Sequence, residues 1–234
     1  MSQVIYRSRI VRAITDILEK IEKAANRSDR NLEDITLIAV TKSHPISAIL
    51  EILKFEIFDL GENRVPELIA KQESVPDERI RWHMIGHLQS RKVPALLGAT
   101  QLIHSIDSLK LAKKLSNKAV EAGMREQVLL QINASRESTK GGFIVPDMDE
   151  DLYSALKLPG LKVAGLMTMA PLTEDAIVMR NTFKSVRELQ QKLIDSGVLA
   201  GKVLSMGMSN DFEIAIEEGS TMVRLGTALF GKPA

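Results

Sequence analysis

The sequence predicts an α/β chain closed into a single (β/α)8 barrel of the TIM type, preceded by one additional helix. Eight short apolar runs of strand length recur along the chain, helix-length segments separate most of them, and the runs stay evenly spaced to the last residues. Strands alternating with helices imply right-handed parallel crossovers, and eight such units close naturally into a barrel. The competing open, doubly wound sheet would show a Gly-rich dinucleotide turn after strand one, and the sequence has none there.

In chain order, residues 4–25 place Val4, Val11, Ile14, Leu18, Ile21 and Ala25 at steps of three, four and seven, the stripe of an amphipathic helix within residues 1–30. Such a stripe serves equally to cover the barrel or to pair with a second copy, and a monomer is expected. Next comes Ile35-Thr36-Leu37-Ile38-Ala39-Val40, too apolar for an exposed strand and suited to one covered on both faces. Further strand-like runs fall near 56–60, 80–85, 101–105, 127–132, 161–168, 202–206 and 221–225. The barrel therefore occupies 35–231, and 1–234 reads as one domain. Residues 134–142, polar and glycine-ended after strand five, read as a mobile loop.

Composition narrows the function classes. The chain has 234 residues, 44% hydrophobic and 26% charged, an ordinary globular mixture that buries a substantial core. Thirty-one Lys plus Arg against thirty Asp plus Glu leave a formal charge of +1, so no bulk field attracts nucleic acid or anionic membrane, and any anion site must be local. The absence of cysteine excludes disulfides, zinc-thiolate sites and thiol nucleophiles. Arg7, Arg9, Arg12, Asp16, Glu19 and Lys20 interrupt any signal-peptide core, and no stretch approaches the roughly 18 apolar residues of a membrane span. A cytoplasmic protein is expected.

In a parallel barrel the site lies at the C-terminal strand ends, so those ends carry the functional reading. Strand one finishes Ala39-Val40-Thr41-Lys42, which puts an amine just past an apolar run, where partial desolvation favours the neutral, reactive form of a Schiff-base lysine. A lysine whose stem packs on the rim while its ammonium reaches water fits the same position. Strand two ends Leu60-Gly61-Glu62-Asn63-Arg64, with polar side chains expected over the mouth; Asn63 suits a ring hydroxyl or carbonyl, and Glu62 and Asn63 equally suit capping of the next helix.

Strand seven leads through Met206-Gly207-Met208-Ser209-Asn210-Asp211 into a helix starting at Phe212, and strand eight ends Val223-Arg224-Leu225-Gly226-Thr227. The loops after these two strands are the usual phosphate site of α/β barrels. Ser209 as a plain N-cap and Thr227 as a plain turn residue are the structural alternative. Met206 at a strand end is either packing or one wall of a flat ring site. Arg224, if turned inward, would hydrogen-bond a pyridine nitrogen and leave it unprotonated, which argues for modest chemistry. His83 and His87 lack the helical H-E-x-x-H pattern of a metal site, and Ser209 lacks the second glycine of a nucleophile elbow.

Six ordered blocks, Ala39 to Lys42, Gly61 to Asn63, Trp82 to Gln89, His104 to Asp107, Leu204 to Asp211 and Gly219 to Gly231, resemble the pyridoxal phosphate homeostasis protein family over nearly the whole chain. The resemblance implies a fold like the N-terminal barrel of alanine racemase, pyridoxal 5′-phosphate as cofactor, Lys42 as its Schiff-base lysine and Arg224 near the pyridine nitrogen. It also implies phosphate contacts from Ser209, Gly226 and Thr227, Asn63 close to the ring, and transfer of cofactor to apo-enzymes as partners. The chain departs from the family pattern at Pro66 and Arg91. Lys140 matches a family Ser-Lys-x-Gly region as a secondary aldehyde acceptor. Two other classes remain in view, a racemase-like enzyme and a Schiff-base aldolase. A racemase needs a second acid/base, supplied in alanine racemases by a tyrosine of an added C-terminal domain; here the sequence ends at Ala234, and Tyr6 and Tyr153 are expected on the opening helix and an outer helix, away from the strand ends.

Overall fold

The computed structural model describes residues 3–134, 141–144 and 150–232. The opening helix α1 (Gln3–Asn26) precedes β1 (Thr36–Val40), and each strand is then followed by a helix: α2 (Ile46–Ile52), β2 (Asp59–Glu62), α3 (Val65–Ser74), β3 (Arg81–Met84), α4 (Val93–Leu96) and β4 (Leu102–Ile106). The second half continues with α5 (Leu109–Glu121), β5 (Glu126–Gln131), α6 (Glu150–Leu156), β6 (Leu161–Met167), α7 (Ala176–Asp195), β7 (Val203–Ser205), α8 (Phe212–Glu217), β8 (Met222–Leu225) and α9 (Thr227–Phe230). The strands pair in sequence order, all parallel, and β8 closes on β1, giving a (β/α)8 barrel with one additional N-terminal helix.

Strand positions match the sequence pattern to within a residue or two except at β2, expected at 56–60. Glu56 sits in the left-handed region at φ 59, ending a 3-10 turn over Leu53–Phe55, so the chain becomes extended only afterwards. Register places Val40 opposite Gly61 and Ala39 opposite Leu225, which sets the ends of β8, β1 and β2 side by side.

Alternation along the strands sorts the interior. Leu37 and Ala39 of β1, Leu204 of β7 and Val223 and Leu225 of β8 join the main core between sheet and helices. A smaller cluster of Leu102, Leu129 and Met167, with Val203 and Met222 against it, fills the inside of the barrel. The barrel interior is therefore filled by side chains, apolar and polar ones side by side.

Helix α1 lies against α2, α8 and α9, across the seam where the barrel closes. Its buried stripe is Tyr6, Ile10, Ile14, Ile17, Ile21, Ala24 and Ala25. Val11 and Leu18, expected in the stripe, are 47% and 40% exposed. Each sits one residue, or about 100° of rotation, beyond Ile10 and Ile17, so spacing alone put the centre of the stripe at its edge. The side chain of Val4 lies outside the described residues. Among the described residues no helix is long and apolar enough to cross a membrane.

The two stripes make different predictions for urea unfolding followed by the fluorescence of Trp82, the sole tryptophan. Ile10→Ala is expected to lose about 2–5 kcal/mol of stability, whereas Val11→Ala changes it by less than about 0.5 kcal/mol. Equal losses would contradict the observed packing of α1.

Candidate functional site

The C-terminal mouth of the barrel is where the sequence-derived candidates converge. In β1, Ile38 points inward: a Cβ on Gly61 would lie 3.0 Å from its Cγ2 and 3.0 Å from Cδ1 of Ile85. By the two-residue period Val40 and then Lys42 share that inward side, while Thr41 faces the helices. Lys42 is exposed at the rim. Half-buried Asn63 follows β2 with the same inward parity. Gly86 closes in behind it, since a Cβ there would meet the Asn63 carbonyl oxygen at 2.4 Å, and only glycine lets the β3 end approach so closely.

Loops seven and eight are tied together. The Ala228 N–H donates to Ser209 Oγ at 3.2 Å, and a half-buried Gly226 packs beside Val40 of β1, so Ser209, Gly226 and the exposed Thr227 lie around one edge of the mouth. Gly207 makes loop seven possible: its φ is 94°, and an added Cβ would meet Ala215 Cβ at 2.6 Å. Ser209 is not the N-cap of α8, which is Asp211.

Arg224 is buried and turned inward, as its parity with Met222 requires. Its Nη1 donates to the Ser205 carbonyl at 2.8 Å and to Ser205 Oγ, and its Nη2 donates to the Thr168 carbonyl at 3.1 Å. Burial pushes the guanidinium down to about 10, partly offset by the charge of Asp211, so it remains a cation at neutral pH.

Behind Arg224 runs a polar chain that the strand-end reading missed. Ser205 Oγ meets His104 Nδ1 at 2.8 Å, His104 Nε2 meets His83 Nδ1 at 3.0 Å, and His83 Nε2 meets Asp59 Oδ1 at 3.0 Å. Arg224 can only donate and the Asp59 carboxylate can only accept, so with both rings neutral one direction satisfies every link. Ser205 donates to His104, His104 donates from Nε2 to His83, and His83 donates from Nε2 to Asp59. Arg81 grips Asp59 with two further donors. The signal was present in the sequence as Asp59, His83, His104 and Ser205, polar residues at inward positions of four strands.

Four expectations are corrected. Met206 is fully buried in the main core, its side chain on the helix-facing side of β7, so it packs and does not wall the ring site. Glu62 does not reach over the mouth; alternation turns it outward, where it accepts hydrogen bonds from Thr41 and Lys71. Neither Glu62 nor Asn63 caps α3, whose N-cap is Arg64. Tyr6 comes close to a strand end after all: its hydroxyl bonds His44 Nδ1 at 3.0 Å, two residues past Lys42, although on the outer side of the barrel. The departure at Pro66 falls in the first turn of α3, where a missing N–H removes no helical bond. Lys140 lies outside the described residues.

Fold and site define a barrel whose mouth, among the described residues, presents Lys42 between an asparagine on one flank and a hydroxyl-lined glycine loop and buried arginine on the other. The model of a family described as alanine racemase, N-terminal domain, matches residues 16–233. A protein of Aquifex aeolicus named pyridoxal phosphate homeostasis protein is 40% identical over 219 residues, covering 94% of this chain and 96% of that one. Among solved structures, one of an unknown protein from Bifidobacterium adolescentis superposes with TM-score 0.89 at 32% identity, covering 98% and 97% of the two chains. PipY of Synechococcus elongatus with PLP bound gives TM-score 0.77 at 36% identity over 85% and 93%. The chain belongs to the pyridoxal phosphate homeostasis proteins of the alanine racemase N-terminal domain family.

Burial, reinforced by the Arg224 charge, holds His104 well below its ordinary value of 6.5. The folded protein therefore refuses a proton that the unfolded chain accepts, and stability falls as pH drops through 6.5. Urea midpoints are expected to decrease over that range while the NMR ring signals of His104 stay at neutral positions. A folded-state titration of His104 near 6.5 would contradict the chain as drawn.

Proposed function

We propose that this protein holds pyridoxal 5′-phosphate on Lys42 and keeps it available to the cell, without turning over a substrate. The observation that carries this reading is Arg224, a buried cation facing the mouth with two carbonyls and a serine as its acceptors. The cofactor, when bound, supplies an aldehyde that condenses with a neutral amine, releasing water, and a pyridine ring that withdraws electrons most strongly when its nitrogen is protonated.

The residues present fit such a group. Lys42 has inward parity at the rim, and Asn63, beside it after the neighbouring strand, would approach the ring. Ser209 and Thr227 offer hydroxyls and Gly226 a close main-chain approach on the phosphate side. Helices α8 and α9 are only six and four residues long, so phosphate retention rests on these hydroxyls and amides more than on a helix dipole. Arg224 has no proton to give up at neutral pH. Against the ring nitrogen it would donate a hydrogen bond without protonating it, which would leave the ring a weaker electron sink than a carboxylate partner would.

The relatives named as pyridoxal phosphate homeostasis proteins and the PipY structure with PLP bound support the cofactor and the homeostatic role. Against the racemase-like alternative stand the tyrosines. Tyr6 is engaged with His44 on the outer side, and Tyr153 packs in the helix layer on α6, so neither offers a second acid/base at the mouth. We assign the chain one working domain, 1–234, with the helix in 1–30 and the barrel in 35–231. It acts as a cytoplasmic monomer that passes cofactor to apo-enzymes, and it has no nucleic-acid or membrane partner.

The protein mixed with pyridoxal 5′-phosphate is expected to develop a visible absorbance band, and Lys42→Ala to lose it while keeping native Trp82 fluorescence. A full-strength band in Lys42→Ala would defeat the lysine assignment. L-Alanine incubated with the loaded protein should keep its optical activity; rapid racemisation would favour the enzyme reading.

A further inference from the structure

Lys42 is exposed, yet the main chain on both sides of it is held from below. The Thr41 carbonyl accepts from Lys71 Nζ at 2.7 Å, and the Thr41 hydroxyl donates to Glu62 Oε1. On the other side, the Ser43 N–H donates to Glu67 Oε1 at 2.7 Å. Lys71, 6% exposed on α3, joins the two carboxylates with bonds of 2.8 Å to Glu62 Oε1 and 2.8 Å to Glu67 Oε1. One ammonium and two carboxylates thus grip residues 41 and 43, and leave the side chain of residue 42 free.

Ser43 needs such a grip. Its φ is 59°, in the left-handed region that residues other than glycine, asparagine and aspartate enter only when their surroundings hold them there. The cluster is also a poor device for stability alone. Glu62 is fully buried and its Oε2 has no hydrogen-bond partner among the described residues, whereas apolar side chains would fill the same space at no desolvation cost. Burial raises Glu62 above the ordinary carboxylate range, offset in part by the bonds from Lys71 and Thr41.

We propose that Glu67 and Lys71, backed by Glu62, are positioning residues that lock the β1–α2 turn so that the Lys42 amine faces the mouth. The inference rests on the reading of Lys42 given above and adds how that amine is aimed. Without the Glu67 acceptor, the turn relaxes at Ser43 and Lys42 loses its inward parity, while the phosphate side of the mouth is untouched.

The test uses the full chain in five forms: wild type, Glu67→Ala, Glu67→Gln, the double variant Glu67→Ala/Ser43→Gly, and Ser43→Val. Two quantities are read: the rate of band formation with pyridoxal 5′-phosphate, and amide hydrogen exchange of residues 41–44 without cofactor. Glu67→Ala is expected to slow capture about ten- to a hundredfold and to speed exchange of the turn. Glu67→Gln keeps an acceptor oxygen and most of the rate. Ser43→Gly restores much of it in the Glu67→Ala background, because glycine adopts the left-handed conformation unaided. Should Glu67→Ala fail to fold, Ser43→Val leaves every charge in place while opposing φ 59, and is expected to slow capture likewise. Wild-type capture and exchange in Glu67→Ala and Ser43→Val would overturn the proposal, as would a slow Glu67→Ala that glycine fails to rescue. If wild type captures no cofactor, the functional reading fails, and the exchange data alone then decide whether the clamp exists.

Discussion

The two-residue period at the end of β1 is the constraint on which the rest of the site depends. Ile38 and Val40 face the barrel interior, Leu37 and Ala39 face the helices, and the same alternation sends Thr41 to the helix layer and Lys42 to the mouth. A slip of one residue would bury the amine against α3 and expose the threonine above the site. Pairing with β8 and β2 fixes that register on both flanks, so the lysine inherits its place from the sheet. This division places an exposed lysine side chain above and a largely buried ionic cluster of Glu62, Glu67 and Lys71 below within one short segment.

A second consequence of alternation is the polar chain inside the barrel. Inward positions of parallel barrels are usually filled by branched apolar side chains, and here Leu102, Leu129 and Met167 fill part of the interior. Beside them Asp59, His83, His104 and Ser205 replace apolar packing with linked hydrogen bonds that end on Arg224. Burying these polar groups is tolerable because each link of the chain joins a donor to an acceptor, with the Asp59 carboxylate closing one end and the Arg224 guanidinium the other. The chain holds Arg224 in place through Ser205 and Thr168, with no carboxylate hydrogen-bonded to it among the described residues.

Much of this was legible in the amino-acid sequence because apolar periodicity reports burial directly. The eight strands and the closing barrel followed from runs such as Ile35 to Val40, and the strand ends marked Lys42, Asn63, Ser209, Arg224, Gly226 and Thr227 as candidates. What escaped were features set by tertiary contact. Val11 and Leu18 satisfy the spacing of a buried stripe, yet α1 meets α2, α8 and α9 through the neighbouring face. Met206 belongs to the core because β7 continues its alternation past Ser205. Glu62 was read over the mouth because β2 was placed too early, and the left-handed Glu56 that delays it leaves no trace in composition. The proximity of Tyr6 to His44 depends on how α1 crosses the seam, which no local pattern encodes.

The central claim, that the mouth lysine at the end of β1 is the cofactor's anchor, is tested most directly by trapping. The protein is loaded with pyridoxal 5′-phosphate, reduced with borohydride, digested and mapped by mass spectrometry. The account predicts one stable adduct, on the peptide carrying Lys42. An adduct confined to another lysine, Lys140 for example, or no adduct at all, would contradict it.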